Sequence, residues 1–397
     1  MPYPPFRGDK LKIYNLAKEL AHNHELHVLT IAENKEDINS VAHLLEPIND
    51  KTDKVLFTSV RWVFRPKWIS ALSAIWGLFS NRPLQVAFFR SRKFQVELNR
   101  VLATNTFDAI HIQHLRMAQY FENSIPQNAI LDLPDAFSLY WKRRYERATN
   151  GIERFFRRLE YQRLAAYEQL ILPQFKRVLV CSQEDQQYLK GNGINNVELL
   201  PNGVNLKTFS PISGSKIIPN RILFTGNMDY APNVDAVQYF VSDIFPIILK
   251  DVPAARFIIA GQRPVKAVLD LQSENIEVTG FVKDLAEEYA IANVVVSPLR
   301  IGAGTQNKVL EALAMDKAVV CTHVGFKGLG INSGEGIMMA SKPDLFAQYV
   351  IDILRDSSLA HRLGESGGNH VRTAFSWTAI SNRLISHFNS IFYEKNI

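Results

Sequence analysis

Short apolar runs alternate with helix-like segments along almost the whole chain, and this alternation limits the possible folds more than any other feature. In the first half, runs of strand length lie at residues 26–32, 54–60, 109–113, 129–133, 177–182 and 197–201. In the second half they lie at residues 221–226, 256–261, 276–280, 293–298, 318–322 and 336–340. Alternating strands and helices form parallel sheets with helices on both faces. The sequence therefore predicts an α/β protein with two doubly wound domains.

Residues 205–220 separate the two halves, because they show no sustained periodicity and contain proline, glycine and serine. We expect an N-terminal domain at residues 1–204, this linker, and a second domain at residues 221–375. The cleft between two such domains is the usual place for a ligand.

Positive charge is concentrated in the first half. Residues 1–200 contain 27 Lys and Arg against 21 Asp and Glu, a net charge of +6. The whole chain contains 45 and 39, so residues 201–397 contain 18 of each sign and are neutral. Such asymmetry indicates an anionic partner. No known nucleic-acid-binding motif is present, so we expect an anionic membrane surface or a pyrophosphate-linked lipid acceptor and no nucleic acid.

Cysteine usage and hydropathy bear on the cellular location. Cys181 and Cys321 lie in separate apolar runs, and we expect free thiols in a reducing cytoplasm. The sequence has neither a signal-peptide pattern nor an apolar run of membrane-spanning length. Residues 61–93 and 141–163 mix aromatic and cationic side chains, which suits peripheral attachment to the inner face of a membrane. The alternative is a solvated basic helix that packs its aromatic side chains inward.

The segment at residues 300–322, RIGAGTQNKVLEALAMDKAVVCT, carries the strongest chemical signal. Its glycines allow the backbone to pass close to a ligand, and a helix is expected to open near Thr305. Lys308 and Glu311 are three residues apart, so they lie on one helix face. A helix N-terminus with a cation suits phosphate, and a carboxylate one turn deeper suits ribose hydroxyls. The alternative is a glycine-rich turn with a surface Lys/Glu pair.

This segment resembles the nucleotide-sugar site of the family 4 glycosyltransferases, which have the glycosyltransferase B architecture of two Rossmann-like domains facing each other across a cleft. Further phrases agree in order, namely PYPPFRGDK at 2–10, LPNGVN at 200–205, LFTGNMDYAPN at 223–233, FIIAG at 257–261 and VTGFV at 278–282. GNMDYAPNVDAV and RIGAGTQNKVLEALAM are most similar to a branch associated with bacterial exopolysaccharide synthesis. The resemblance also implies that residues 376–397 form a helix that crosses back to the N-terminal domain.

The resemblance implies a set of donor-binding residues in the second domain. Glu311 matches the second glutamate of the family's E-x7-E pattern, whereas the first falls on Ala303, so recognition of the donor sugar is in doubt and backbone amides near Gly304 would take part of that role. The loop from Gly226 to Asp229 lacks the family's usual cations, which Arg300 and Lys308 would replace. The predicted donor-binding residues are Gly8, Gly226, Asn227, Phe281, Val282, Arg300, Gly304, Thr305, Gln306, Lys308 and Glu311.

Phe281 or Val282 would cover the nucleobase, or else the segment forms a plain strand-to-helix loop. Arg300 would otherwise be a solvated residue at the end of a strand. The resemblance does not distinguish uracil from guanine or adenine.

The acceptor side is expected in the first domain. The loop before the first helix supplies Arg7, Asp9 and Lys10, and Gly8 in the same loop would approach the donor pyrophosphate. Asp9 could instead cap the helix. His114 lies just after one apolar run, and Asp132 and Asp135 lie at the end of another. These are the other predicted residues, each with a structural role as the alternative.

We expect His114 and Lys308 to be catalytic, with His114 as a neutral imidazole that hydrogen-bonds the sugar or acceptor hydroxyl. His111 is expected to be packed. No cluster of residues has metal-ligand spacing, so neither a metal nor a cofactor is expected.

The chain start departs from the family pattern, because Met1 directly precedes PYPP where relatives have a first strand. That strand is central in a Rossmann order, and its absence would expose the neighbouring strand edges. Either the natural start lies upstream or the sheet is rebuilt.

These observations predict a retaining, metal-independent glycosyltransferase that uses a nucleotide diphosphate sugar and a lipid-linked or saccharide acceptor. A nucleotide-sugar epimerase of the same fold and a catalytically weak scaffold subunit that binds nucleotide sugars are the alternatives.

Overall fold

The computed structural model describes residues 1–4, 8–47, 54–78, 80–302 and 305–393. The chain divides into two compact units. One comprises Met1–Leu200 with Ile380–Ile397, and the other comprises Pro201–Ala379. Residues 205–220 contain no helix or strand.

The first unit contains six strands in its described part: β1 (His27–Ala32), β2 (Ser59–Phe64), β3 (Ile110–Gln113), β4 (Ala129–Leu133), β5 (Arg177–Val180) and β6 (Val197–Leu199). Its helices are α1 (Gly8–Leu20), α2 (Lys35–Asn39), α3 (Val41–Leu44), α4 (Lys67–Leu78), α5 (Leu84–Phe88), α6 (Arg92–Thr104), α7 (Leu115–Ala118), α8 (Phe137–Glu146), α9 (Gly151–Ile171) and α10 (Gln183–Gly191), together with most of the last helix of the chain.

Polar side chains fix the starts of several of these helices. Ser91 accepts a hydrogen bond from the Phe94 amide at the start of α6, and Ser182 does the same for the Asp185 amide at the start of α10. The Asn150 side chain accepts from the amide of Ile152 where α9 begins. Such caps satisfy backbone donors that the first turn of a helix leaves unpaired.

The strands of the first unit form two separate parallel sheets. β1 pairs with β2, while β3, β4, β5 and β6 pair in chain order. Within the described ranges, no strand joins β1 to β3. Leu29, Ile31 and Val63 of the small sheet nevertheless pack in the same apolar cluster as Ile112 and Leu131 of the large one.

The second strand differs from its prediction at residues 54–60. The segment 54–58 is a loop with an isolated bridge between Pro47 and Val55, and the strand itself is Ser59–Phe64. The apolar character of the loop has another cause, because Leu56 and Phe57 pack in a small core with Ala17 and Leu44.

The second unit forms one parallel sheet of six strands over its described residues: β7 (Arg221–Thr225), β8 (Arg256–Ala260), β9 (Ile276–Gly280), β10 (Val294–Ser297), β11 (Val319–Cys321) and β12 (Met338–Met339). Its helices are α11 (Ala231–Tyr239), α12 (Phe245–Asp251), α13 (Lys266–Leu269), α14 (Leu285–Ile291), α15 (Asn307–Ala314), α16 (His323–Phe326), α17 (Pro343–Arg355) and α18 (Ser357–Ala374), and α19 (Trp377–Tyr393) begins in this unit. A π-helical turn, Phe240–Ile244, joins α11 to α12.

Alternate residues of the second sheet supply two apolar cores. Phe224, Phe257 and Val296 point to one face, and Leu223 and Ile258 to the other. All five are at most 1% exposed, and full burial of such a side chain contributes roughly 1.5–3 kcal/mol. The strand order β12-β11-β10-β7-β8-β9 reverses direction between β7 and β10. This doubly wound α/β arrangement confirms the predicted fold class.

Candidate functional site

The loops that follow β7 and β10 leave the sheet at the point where its strand order reverses. In doubly wound sheets, ligands bind outside the carboxyl ends of the strands at this point. The segment after β7 begins with Gly226, and the segment after β10 leads through Arg300 and Gly302 to α15. The fold therefore brings the loop after β7 and the loop after β10, which both contain predicted donor-binding residues, to one edge of the sheet of the second unit.

Glycines allow the strand ends to approach each other closely. The Gly226 amide donates to the Ala260 carbonyl at 3.1 Å, and the Gly261 amide donates to the Gly280 carbonyl at 3.0 Å. A Cβ on Gly261 would lie 1.7 Å from the Gly226 oxygen, and one on Gly226 would lie 2.6 Å from the Asn233 Nδ2 atom. The backbone contact excludes a side chain at Gly261, and a side chain at Gly226 would displace Asn233.

Lys308 places an ammonium directly beside Gly226. Its Nζ atom donates to Asn233 Oδ1 at 2.6 Å and lies 4.2 Å from the centre of the Phe224 ring. Asn233 is itself held by a 2.9 Å bond from Nδ2 to the Asn227 carbonyl. Burial lowers the pKa of Lys308 to about 7, although the Glu311 carboxylate acts in the opposite direction. The site thus has a cation fixed by a neutral amide.

Glu311 is oriented by a buried tyrosine that the sequence analysis did not identify. The Tyr289 hydroxyl lies 3.1 Å from Glu311 Oε2, 3.3 Å from the Lys308 carbonyl oxygen and 2.7 Å from Thr225 Oγ1. Burial raises the pKa of Glu311, whereas the Tyr289 hydrogen bond and the charge of Lys308 lower it. Among the described residues, no ion pair within 4.0 Å joins Lys308 to Glu311, so each remains available to a ligand.

The segment between β10 and α15 differs from its prediction in one respect. The helix begins at Asn307, with Gln306 as its N-cap residue, and not near Thr305. Thr305 therefore precedes the helix, and its buried hydroxyl has no hydrogen-bond partner in the part of the chain that the structure describes. The predicted positions Ala303 and Gly304 lie outside the described residues.

Arg300 does not join this arrangement in the way the sequence suggested. Its guanidinium binds Asp235 through Nε at 3.0 Å and Nη2 at 2.5 Å, and it lies 4.6 Å from the centre of the Tyr239 ring. A pyrophosphate would therefore have to compete with this carboxylate for Arg300. Among the described residues predicted to bind the donor, Lys308 is the cation without a carboxylate partner within 4.0 Å.

The strand end that was expected to meet the nucleobase carries an exposed ring. Phe281 follows β9 and is 75% exposed, while Val282 packs against the core. Gly280 has a φ of +69°, a left-handed conformation that favours glycine. Asn227 is exposed, and its Oδ1 accepts from Gln262 Nε2 at 3.0 Å. Phe281 thus presents an aromatic face suited to stacking.

The first unit places Asp132 in its interior instead of on an acceptor surface. Asp132 is 0% exposed. Its Oδ1 atom accepts from Lys12 Nζ at 2.8 Å, and its Oδ2 atom lies 3.1 Å from His111 Nε2. Lys12 also donates to the Leu200 carbonyl at 2.9 Å and to Cys181 Sγ at 3.4 Å. The acceptor role predicted for Asp132 is therefore wrong, because the carboxylate is inaccessible and already paired.

This buried network shifts the pKa values of Lys12 and Asp132 in opposite directions. Burial disfavours the charged form of Lys12, but the charges and hydrogen bonds of Asp132 and Cys181 raise its pKa above the usual value. Burial likewise disfavours the Asp132 carboxylate, but Lys12 and His111 hold its pKa below the usual value. Both groups therefore remain ionised at neutral pH.

His114 has the neutral state that was expected of it. Burial and the nearby Arg116 lower its pKa well below the usual value, although Asp132 opposes them. The residue has a φ of +86°, its amide donates to the Asp132 carbonyl at 2.7 Å, and its ring packs on Phe137. Its Nδ1 atom and both side-chain polar atoms of Gln113 are buried without a hydrogen-bond partner in the described structure. Backbone strain and unpaired polar atoms concentrate at functional sites.

The remaining predicted residues of the first unit give less information. Arg7 lies outside the described residues, and so does the side chain of Asp9, whereas Gly8 is the first residue of α1. Lys10 is half-buried and Asp135 is exposed. Cys181 and Cys321 are free thiols. The described residues contain neither a group of metal-ligating side chains nor a helix that is long and apolar enough to cross a membrane.

Asn233, Tyr289, Lys12 and Gln113 are the residues that sequence reasoning missed. The sequence could have indicated that Lys12 is buried, because it lies four residues before Leu16 and therefore on the apolar face of α1. Asn233 lies within the phrase GNMDYAPN, but nothing local distinguishes it from a helix-start asparagine. Tyr289 follows helical periodicity, which indicates burial but does not identify a partner.

Comparisons with known families cover both units. Residues 13–208 match the family model described as Glycosyltransferase Family 4, and residues 219–356 match the model described as Glycosyl transferases group 1. A protein of Klebsiella pneumoniae described as an uncharacterized 44.6 kDa protein in cps region is 21% identical over 371 residues, which are 90% of this chain and 89% of that protein.

Solved structures share the fold at low sequence identity. Sucrose-phosphate synthase from Thermosynechococcus elongatus has a TM-score of 0.66 and 17% identity, with 98% of this chain and 94% of that chain covered. The Anabaena protein Alr3699/HepE, solved in complex with UDP and glucose, has a TM-score of 0.63 and 12% identity, with 97% and 96% covered.

Proposed function

Because this chain belongs to the family 4 glycosyltransferases, we propose that it moves a sugar from a nucleoside diphosphate sugar to an acceptor hydroxyl. The observation that carries this proposal is the Lys308 ammonium held beside Gly226, one helix turn from the Glu311 carboxylate, at the reversal point of the sheet. A cation suits a pyrophosphate and a carboxylate suits ribose hydroxyls.

The donor would lie along the carboxyl ends of β7, β9 and β10. Lys308 and the backbone amides before α15 would bind the pyrophosphate, and Glu311 would accept hydrogen bonds from the ribose. Phe281 would stack on the base. The Thr305 hydroxyl, which has no hydrogen-bond partner among the described residues, would gain a phosphate or sugar oxygen as its partner. We propose a uridine nucleotide as the first donor to test, because the Anabaena relative was solved with UDP.

The transfer step would need no metal, because Lys308 would stabilise the negative charge that develops on the leaving diphosphate. We propose that transfer retains the anomeric configuration. The acceptor oxygen would bond to the anomeric carbon on the face from which the diphosphate departs, as the bond between that carbon and the phosphate oxygen breaks, and the hydroxyl proton would pass to the departing phosphate oxygen. The neutral imidazole of His114 would hydrogen-bond the sugar or acceptor hydroxyl without adding positive charge. Its unpaired Nδ1 atom supports that role.

The acceptor proposal is a saccharide or lipid-linked saccharide used in cell-surface polysaccharide synthesis, supported by the Klebsiella relative from a cps region. The two free cysteines suit a reducing compartment such as the cytoplasm. We further propose an anionic membrane surface as a partner of the first unit, because residues 1–200 hold all of the excess positive charge.

Thermal unfolding in the presence of UDP, GDP, ADP and their sugars tests the donor site directly. Binding to the folded state alone raises the unfolding midpoint. We expect one nucleotide series to raise it, and Glu311→Gln to reduce the rise. Glu287→Gln on the exposed side of α14 is the matched control and should respond like the wild type.

Product analysis with the stabilising donor then separates sugar transfer from its alternatives. Transfer to an added saccharide or lipid-linked acceptor supports the proposal, and the anomeric configuration of the product tests retention. A free epimerised sugar or nucleotide would indicate an epimerase. Stabilisation without turnover over a panel of acceptors would indicate a scaffold, and no stabilisation of folded protein by any nucleotide would contradict the donor site itself.

A further inference from the structure

The start of α9 carries apolar side chains that do not pack in the first unit. Ile152 is 71% exposed, Phe155 is 63% exposed and Phe156 is 52% exposed. Residues 151–156 are exposed on every side of the helix, and the first buried residue of α9 is Glu160. The first turn and a half of α9 therefore lies outside the apolar core, and more than half of the surface of each of these three side chains is exposed.

Several cations lie close to these apolar side chains in the sequence of α8 and α9. Arg154 lies 5.4 Å from the centre of the Tyr145 ring, and Arg144 lies 4.9 Å from that of Trp141. Glu184 pairs with Arg143, and Glu153 pairs with Arg157. Within the described ranges, no carboxylate oxygen lies within 4.0 Å of a side-chain nitrogen in five further cations, namely Lys142, Arg144, Arg147, Arg154 and Arg158.

We propose that this segment, residues 140–158, is a docking tip that inserts Ile152, Phe155 and Phe156 into the surface of an anionic lipid bilayer. The proposal deepens the membrane partnership proposed above and rests on it, but it does not depend on sugar transfer. Apolar side chains would enter the boundary between headgroups and acyl chains, while the cations around them would contact anionic headgroups.

The charge pattern favours a bilayer over a protein partner. Most of these cations have no acidic partner, and lipid headgroups offer many mobile anions in place of a fixed geometry. The apolar residues occupy a projecting helix end, which can enter a fluid surface without a shape-matched cavity. Tyr140 adds a half-exposed aromatic ring at 47% exposure, a residue type that favours the membrane–water interface.

Vesicle flotation with the full chain tests the proposal without any nucleotide. We expect wild-type protein to float with phosphatidylcholine vesicles that contain roughly one-third phosphatidylglycerol, and to bind pure phosphatidylcholine more weakly. Ile152→Ser, Phe155→Ser and Phe156→Ser combined should lower the partition coefficient at least about tenfold. Arg154→Gln and Arg158→Gln should each lower it about fivefold, and 1 M salt should reproduce much of that loss.

Matched substitutions on the second unit distinguish vesicle binding through the docking tip from nonspecific adsorption of exposed apolar or cationic residues. Ile217→Ser with Ile218→Ser removes two exposed apolar residues, and Lys250→Gln with Arg256→Gln removes two exposed cations. Neither pair should change vesicle binding. The unfolding midpoint of every variant, and its rise with the stabilising nucleotide, should equal those of the wild type, so that a failure of membrane binding is distinguished from a failure of the donor site.

Two results would overturn the docking tip. One is vesicle binding by the Ile152, Phe155 and Phe156 variant that equals wild-type binding. The other is a wild-type dimer that this variant converts to a monomer while wild-type protein shows no preference for anionic vesicles, which would make the tip a contact between protein chains.

Discussion

At the proposed donor site, the partner of each charged side chain determines how much of its charge is left for a ligand. Lys308 contacts the amide of Asn233, which holds the ammonium without neutralising it. Arg300 is the contrasting case, because Asp235 has already neutralised its charge. The lysine is therefore the residue whose protonation should control how strongly the site attracts a pyrophosphate.

The pH dependence of donor binding should follow Lys308. Burial lowers its pKa to about 7, so the ammonium predominates below pH 7 and the neutral amine above it. Bound pyrophosphate favours the ammonium, so we expect the donor Kd to rise by up to about tenfold per pH unit above pH 7 and to level off below it. Calorimetry between pH 6 and pH 9 with the stabilising nucleotide sugar measures this slope, since its pyrophosphate stays ionised throughout.

Lys308→Arg provides the control, because arginine remains charged across the whole range. Its donor Kd should be nearly independent of pH, whatever its absolute value. Equal slopes for the wild type and Lys308→Arg would show that another group titrates.

At the scale of secondary-structure elements, two kinds of contact hold the helices and strands together. Glycines allow the ends of β7, β8 and β9 to approach within backbone contact. A buried lysine attaches α1 to the ends of β4, β5 and β6 through Asp132, Cys181 and Leu200. The close approach of the strand ends requires glycine, and the attachment of α1 requires a charged side chain in an apolar interior.

Gly261→Ala should separate the ends of β7 and β8. Its Cβ would lie 1.7 Å from the Gly226 carbonyl oxygen, and the native φ of +153° is unfavourable for alanine. We expect a loss of about 2–4 kcal/mol in the free energy of unfolding, measured by urea titration. Gly191→Ala at the end of α10, where a Cβ meets nothing within 4 Å, should change it by less than about 1 kcal/mol. Similar effects at both positions would contradict the close approach.

Lys12→Met should leave the Asp132 carboxylate buried without its cation. Removal of one partner from a buried ion pair costs about 3–5 kcal/mol, and urea titration at neutral pH measures that loss. Lys12→Met combined with Asp132→Leu should restore much of the stability, because no charge then remains in the interior. Since the folded pKa of Asp132 is lowered, wild-type stabilisation should be present above the unfolded value and be lost as the pH falls through the folded one. A double variant no more stable than Lys12→Met would contradict this account.

Sequence patterns predicted the elements well but not the partners of their side chains. Local periodicity located most strands of both units, and the three-residue spacing predicted that Lys308 and Glu311 share a helix face. The partner of Lys12 is 120 residues away in the sequence, and that of Arg300 is 65 residues away. Such pairs depend on how a helix docks on a sheet, which no local pattern specifies. For that reason Asp132 and Arg300 were assigned to ligands although the fold gives each a protein partner.

At the scale of the whole molecule, the chemistry divides between the two units. The second unit, Pro201–Ala379, lies within the neutral half of the chain and contains Lys308 and Glu311 of the proposed donor site. The first unit carries the excess positive charge, the neutral His114 and the docking tip. Under these proposals, donor recognition and membrane attachment belong to separate units, and we expect variants to change one without changing the other.

The Tyr289 hydroxyl has a consequence for the energetics of donor capture. This one oxygen contacts Thr225 at the end of β7, the Lys308 carbonyl in α15 and the Glu311 carboxylate. The strand and the helix on either side of the donor site are thus fixed to each other before any ligand arrives. A preorganised site of this kind loses little conformational entropy on binding. Most of the conformational entropy lost on binding would then be lost by the nucleotide sugar. A rigid donor should therefore bind more tightly than a flexible donor of equal charge.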